Sequence, residues 1–150
     1  MKKGFSLIET VVVIAIFAVL FTLTSTVFSR FSNNQALNRS ASEVNSILNE
    51  ARALTLASYD NTVYGVHLLP DRATLFKGNT FSSSDPDNKV NVISSRVSIS
   101  NIVLSGGGND IIFQRLTGKT GQNGTITLSL ISDPSKSKTI TIQVSGIIEL

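Results

Sequence analysis

Between Lys3 and Arg30 the chain runs for 26 residues with a single charge, and that charge is Glu9. The run is unbroken and apolar from Val11 to Phe21. As a helix rising 1.5 Å per residue, residues 5–28 would span about 36 Å. That is enough to cross a hydrocarbon core of about 30 Å. A carboxylate inside such a segment costs about 2.5–3.5 kcal/mol at the helix centre on insertion scales. Glu9 therefore needs a partner. The stretch leading to it, Lys2-Lys3-Gly4-Phe5-Ser6-Leu7-Ile8-Glu9, constrains the chain more than any other.

Two ordinary explanations fit less well. The apolar part of a secretory signal peptide is about 7–15 residues, carries no charge and is followed by a small-x-small cleavage site. Here the run is longer, holds Glu9 and ends in Thr24-Ser25-Thr26-Val27-Phe28 without an Ala-x-Ala. A plain signal anchor fits the length, with Lys2 and Lys3 holding the N-terminus in the cytoplasm. It leaves Glu9 unexplained.

Gly4-Phe5-Ser6-Leu7-Ile8-Glu9, behind two lysines, resembles the class III leader junction of the type IV pilin and pseudopilin family. The resemblance implies that a membrane-embedded prepilin peptidase removes residues 1–4 by cutting between Gly4 and Phe5. It also implies N-methylation of the new Phe5 amine. Glu9 of an incoming subunit would then pair with the Phe5 amine of a neighbour. An unpaired buried charge is strongly penalised, so this pair would set register as well as affinity. The partners implied are other pilin or pseudopilin subunits, the prepilin peptidase, an inner-membrane assembly platform, and membrane lipid before assembly. The location implied is the inner (cytoplasmic) membrane, crossed once with the C-terminal domain outside the cytoplasm, and then a filament.

Beyond Arg30, apolar residues recur at Leu37, Ala41, Val44, Leu48, Ala51 and Leu54, the three-and-four spacing of one helical face. Arg39, Asn45, Asn49 and Arg52 fall opposite. No proline precedes Pro70, so residues 5–58 read as one helix of roughly 80 Å. Residues 5–28 form its membrane half and 29–58 its amphipathic half. Residues 59–150 read as β-rich. Strands are predicted at Thr62–Leu69 and Arg72–Lys77 around a Pro70-Asp71 turn, then at Arg96–Leu104, Asp110–Leu116, Thr125–Ile131 and Lys138–Val144. Phe81–Lys89 reads as a loop. Period-two alternation in the last two strands marks each as half exposed. The fold class expected is α+β, a long N-terminal helix packed on an antiparallel sheet, as in pilins. The layout from Phe113 to Gly146 resembles, more loosely, the GspH/FimT group of minor pseudopilins and minor pilins.

Other candidate chemistry is sparse. There is no cysteine, which removes thiolate catalysis and cysteine metal sites. His67 is the only histidine and reads as a core or surface residue. Gly106-Gly107-Gly108-Asn109-Asp110 lacks the Lys-Ser/Thr of a phosphate loop and reads as a hairpin turn. Asp85, Asp87 and Asn88 gather oxygen atoms without the full calcium-loop pattern or its distal Glu, so no metal or cofactor is expected. No Gly-x-Ser-x-Gly elbow occurs, and no enzyme activity is expected. Net charge is +3, and without Lys2 and Lys3 it is 11 basic against 10 acidic, or +1. Arg115, Lys119, Lys136 and Lys138 could form a basic patch, but without interleaved aromatics for base stacking. Some DNA-capturing members of the group end in basic residues, whereas this chain ends Gly146-Ile147-Ile148-Glu149-Leu150. The function expected is a minor structural subunit of a type II secretion pseudopilus or type IV pilus. The alternative is a minor pilin that binds DNA for uptake or a surface ligand, which the acidic terminus argues against.

Overall fold

With no proline to break it, the backbone stays helical from Leu7 to Leu56, through two chemically different halves (α1). The computed structural model describes Gly4 and residues 6–150, and for residues 22–30 the backbone alone. The chain divides into two units, Met1–Gln35 and Ala36–Leu150. The second holds the buried core.

In that second unit Leu37, Ala41, Val44, Leu48 and Ala51 are all buried. Leu54 is only half-buried, whereas Ile47 and Thr55 join the covered stripe. The buried face is thus broader than a minimal three-and-four seam, as suits a helix lying on sheets. Arg39 and Asn49 are exposed, and Asn45 and Arg52 sit half-buried along the margin. On the wet side Arg39 Nε donates to Glu43 Oε1 at 2.9 Å, one turn away.

The end of α1 is stitched to the first strand. The Thr55 hydroxyl donates to the Ala51 carbonyl at 2.8 Å and accepts the Tyr64 N–H at 2.9 Å. Between them the chain reverses through Ser58, Asp60 and Asn61, all at φ between 50° and 55°. Such left-handed residues persist only where their surroundings hold them. Arg115 holds two of them, its guanidinium donating to Ser58 Oγ and Asn61 Oδ1. Lys77 Nζ holds the third through Asp60 Oδ2 at 2.8 Å. That hydrogen bond pushes the Lys77 ammonium above its ordinary pKa.

The remaining chain makes two antiparallel sheets. In the first, β1 (Tyr64–Leu69) and β2 (Arg72–Lys77) form the expected hairpin about Pro70-Asp71, with Leu69 opposite Arg72 and Tyr64 opposite Lys77. β3 (Lys89–Val92) adds to β2 and β5 (Asp110–Ile112) to β1, giving the order β3-β2-β1-β5. The second sheet orders β4 (Val97–Leu104), β6 (Gly124–Leu130), β7 (Ser137–Ile142) and β8 (Ile148–Glu149) as β4-β6-β7-β8. Val66, Leu68 and Ile111 from the first sheet and Phe113 just beyond it bury completely, as do Ile126, Leu128 and Ile140 from the second. They join the α1 stripe in one core.

The α+β class expected from the sequence stands, while the single sheet becomes two. The Gly106-Gly107-Gly108 run is where the difference arises. It is not a hairpin turn: the chain leaves one sheet at Leu104 and enters the other at Asp110. All three glycines take φ between 74° and 86°, a run that residues with a Cβ avoid. The strand expected over Asp110–Leu116 stops at Ile112, because Leu116 at φ 63° belongs to a turn. Beyond β5 only Phe113 bridges, to Thr120. Two short edge strands, β3 and β8, were not foreseen.

Two consequences for stability can be measured by denaturant unfolding of the full chain. Leu48→Ala, at a fully buried position, should cost about 2–5 kcal/mol. Gly146 lies at φ 77°, and a Cβ there would sit 1.8 Å from the Gly118 carbonyl oxygen. Gly146→Ala should therefore cost at least about 2 kcal/mol.

Candidate functional site

The helix begins where the apolar run begins. The Ser6 carbonyl accepts the N–H groups of Glu9 and Thr10 at 3.1 and 3.2 Å, and the Thr10 hydroxyl at 3.2 Å. Glu9 thus falls in the first turn of α1. There the free N–H groups and the positive end of the helix dipole favour a negative charge. Ser6-Leu7-Ile8-Glu9 also has the Ser-x-x-Glu spacing of a capping box, a local sequence signal for a helix start. Glu9 is exposed. Among the described residues its carboxylate has no ion pair or side-chain hydrogen bond.

From Leu7 to Phe21 every described side chain is exposed. Val11, Val12, Val13 and Ile14 are consecutive and between 44% and 63% exposed. At about 100° per residue, four in a row circle the axis. This part of α1 therefore offers apolar surface on every side, which a water-facing helix does not. Among the described residues no helix is long and apolar enough to cross a membrane. The span expected over 5–28 draws on Phe5 and on the side chains of 22–28, which lie outside those described. The Phe5 half of the cleavage junction and the Phe5 methylation site lie outside them too. Gly4 is described and exposed, and nothing stands within 4 Å of where a Cβ would be built. Packing among the described residues gives no reason for glycine at this position.

The remaining candidates are accounted for structurally. His67 Nδ1 donates to Asp110 Oδ1 at 2.5 Å. Its ring lies flat on Phe81, with centroids 3.9 Å apart and planes 3° from parallel. Phe81 in turn meets Phe76 edge-on at 5.6 Å. The histidine ties the loop after β2 to the first sheet. In that loop Asp85 Oδ1 accepts the Asp87 N–H and Asn88 Nδ2 donates to the Ser82 carbonyl. The Asn88 Oδ1 atom is buried without a hydrogen-bond partner among the described residues. Among the described residues no three His, Cys, Asp or Glu side chains gather as metal ligands. The four basic residues do not form one patch. Arg115 is engaged with Ser58 and Asn61. Lys136 and Lys138 stand at the start of β7, while Lys119 adjoins Thr120, which bonds Val144 beyond the far end of that strand.

Residues 1–25 match the family model for the prokaryotic N-terminal methylation motif. Those residues hold a prepilin leader motif. This supports a type IV pilin-like structural subunit, processed by prepilin peptidase and assembled with other pilin subunits. The motif implies anchoring in the inner membrane. No characterised protein and no solved structure matches the chain.

Proposed function

We propose that the chain is a minor pilin-like subunit of a type II secretion pseudopilus or a type IV pilus, of the GspH/FimT kind. It is made as a single-pass inner-membrane precursor with its β-rich domain outside the cytoplasm. The peptidase cuts between Gly4 and Phe5, and the Phe5 amine is methylated. The subunit then leaves the lipid by packing its apolar helix among those of its neighbours. The observation carrying this reading is a carboxylate in the first turn of a helix that is apolar on all sides.

The mechanism follows from desolvation. Before assembly Glu9 sits near the membrane edge, where the dipole of its own helix offsets part of its cost. In a filament the apolar faces of neighbouring helices cover one another. A carboxylate enclosed there is tolerated only beside a cation. The Phe5 amine, created by cleavage four residues away, is such a cation on the adjacent subunit. A subunit docked one turn out of place would leave both charges unmatched. Glycine at position 4 serves the peptidase, whose pocket accepts little beyond hydrogen at that point.

The test is N-terminal peptide mass spectrometry on sheared filaments and washed envelopes of the native host. A methylated Phe5 terminus is expected, and intact Met1 or Lys2 termini in both fractions would end the pilin reading. Gly4→Ala should reduce cleavage in the same assay. Glu9→Ala should be cleaved and inserted normally but recovered in filaments at a small fraction of the wild-type level. Normal incorporation of that variant would remove the register role of Glu9.

A further inference from the structure

Two turns meet the end of α1. Gly118 N–H donates to the Gln114 carbonyl at 2.9 Å and Gly146 N–H to the Gln143 carbonyl at 2.8 Å. Arg52 Nε donates to the Gly118 carbonyl at 3.4 Å, and Gly118 lies against the Leu56 side chain. Around this junction four large apolar side chains are left in solvent. Leu56, Leu116, Val144 and Ile147 are 36%, 75%, 59% and 46% exposed. Leu116 is the most exposed and is held at φ 63°, a left-handed conformation that leucine seldom adopts. The strain presents an apolar side chain outward instead of tucking one in.

The junction is also short of negative charge. Arg52 and Arg115 are both half-buried beside it. Their acceptors are the Gly118 carbonyl, the Ser58 hydroxyl and the Asn61 amide oxygen, all neutral. Elsewhere Arg39, Arg72, Lys77 and Lys89 each have a carboxylate within 3 Å. Among the described residues Arg52 and Arg115 have none. A half-buried guanidinium is best matched by a carboxylate held through paired hydrogen bonds. An exposed apolar cluster rimmed by polar groups is the pattern of a protein contact.

We propose that this junction docks an apolar segment bearing an Asp or Glu, supplied by another subunit. Apolar side chains of the segment cover Leu116 and Leu56, and its carboxylate is received by Arg52 and Arg115. The apolar cluster favours a peptide over a nucleic-acid backbone, since phosphates gain nothing from Leu116 or Ile147. That the donor is another subunit rests on the filament reading above. The surface itself, assembled from α1 and two turns, does not depend on the leader.

The experiment uses the full chain in lipid nanodiscs and a fluorescent peptide, Gly-Leu-Glu-Ile-Glu-Leu-Gly, with a counterpart carrying Gln for both Glu. Fluorescence anisotropy should show saturable binding of the first peptide and about tenfold weaker binding of the second. Leu116→Ser and Arg52→Gln should each weaken the first by about tenfold. Val103→Ser, at an exposed position on β4, should leave it unchanged. Circular dichroism on each variant checks that the fold is kept. Equal affinity for the two peptides, insensitivity to Leu116→Ser, or no binding would overturn the proposal. Displacement of the peptide by a single-stranded oligonucleotide, with strong salt dependence, would do the same and reassign the surface to nucleic acid. Processing at Gly4 is measured separately, so either reading can fail while the other stands.

Discussion

The domain depends on one burial: the stripe from Leu37 to Thr55 on α1 pressed into the core that both sheets line. Neither sheet could stand alone. Each has four strands, and each includes strands of two to four residues. Such sheets need a packed face to be stable. The helix supplies it. Because α1 continues N-terminally as the apolar segment, the element that organises the core also carries Glu9.

That continuity explains why the junction after Leu56 is so heavily tied. The helix ends in a reversal through three left-handed residues, held by Arg115 and Lys77 and closed by Thr55 on Tyr64. This segment adds a second tie between α1 and the first sheet to the packed stripe itself. The cost of the strained residues is offset by side chains converging from β2 and from the turn after β5. Nearby, Arg52 ties the same end of α1 to the Gly118 carbonyl.

The N-terminal segment follows a different rule. It is exposed and apolar on every described side from Leu7 to Phe21. Its energetic complement therefore lies outside the chain, in lipid or in other helices. Glu9 sharpens this, because apolar neighbours alone leave a carboxylate unsatisfied. The leader match over residues 1–25 and the geometry of the first turn bear on the same few residues from independent directions.

The leader motif, the long helix and the central strands were legible in the sequence because each rests on local order. Glycine before phenylalanine, a carboxylate at a fixed offset, and periods of 3.6 and 2 all act between residues close in the chain. Strand neighbours do not. Alternation in Thr125–Leu130 marks Ile126, Leu128 and Leu130 as buried, though Ser129 is covered with them, and it does not say which strand lies alongside. The split into two sheets was therefore settled only when the Gly106–Gly108 run carried the chain from one to the other. Lys89–Val92 and Ile148–Glu149 are strands only because β2 and β7 offer them an edge. His67 became a loop tie, and Arg115 a clasp in place of one member of a basic patch, through partners 43 and 57 residues away in the chain. The sequence by itself determined what the N-terminus must satisfy, since desolvation of an apolar run and its single charge is a property of consecutive residues. Tertiary structure alone decided which surfaces remain for a partner, since exposure is what is left after distant segments have covered one another.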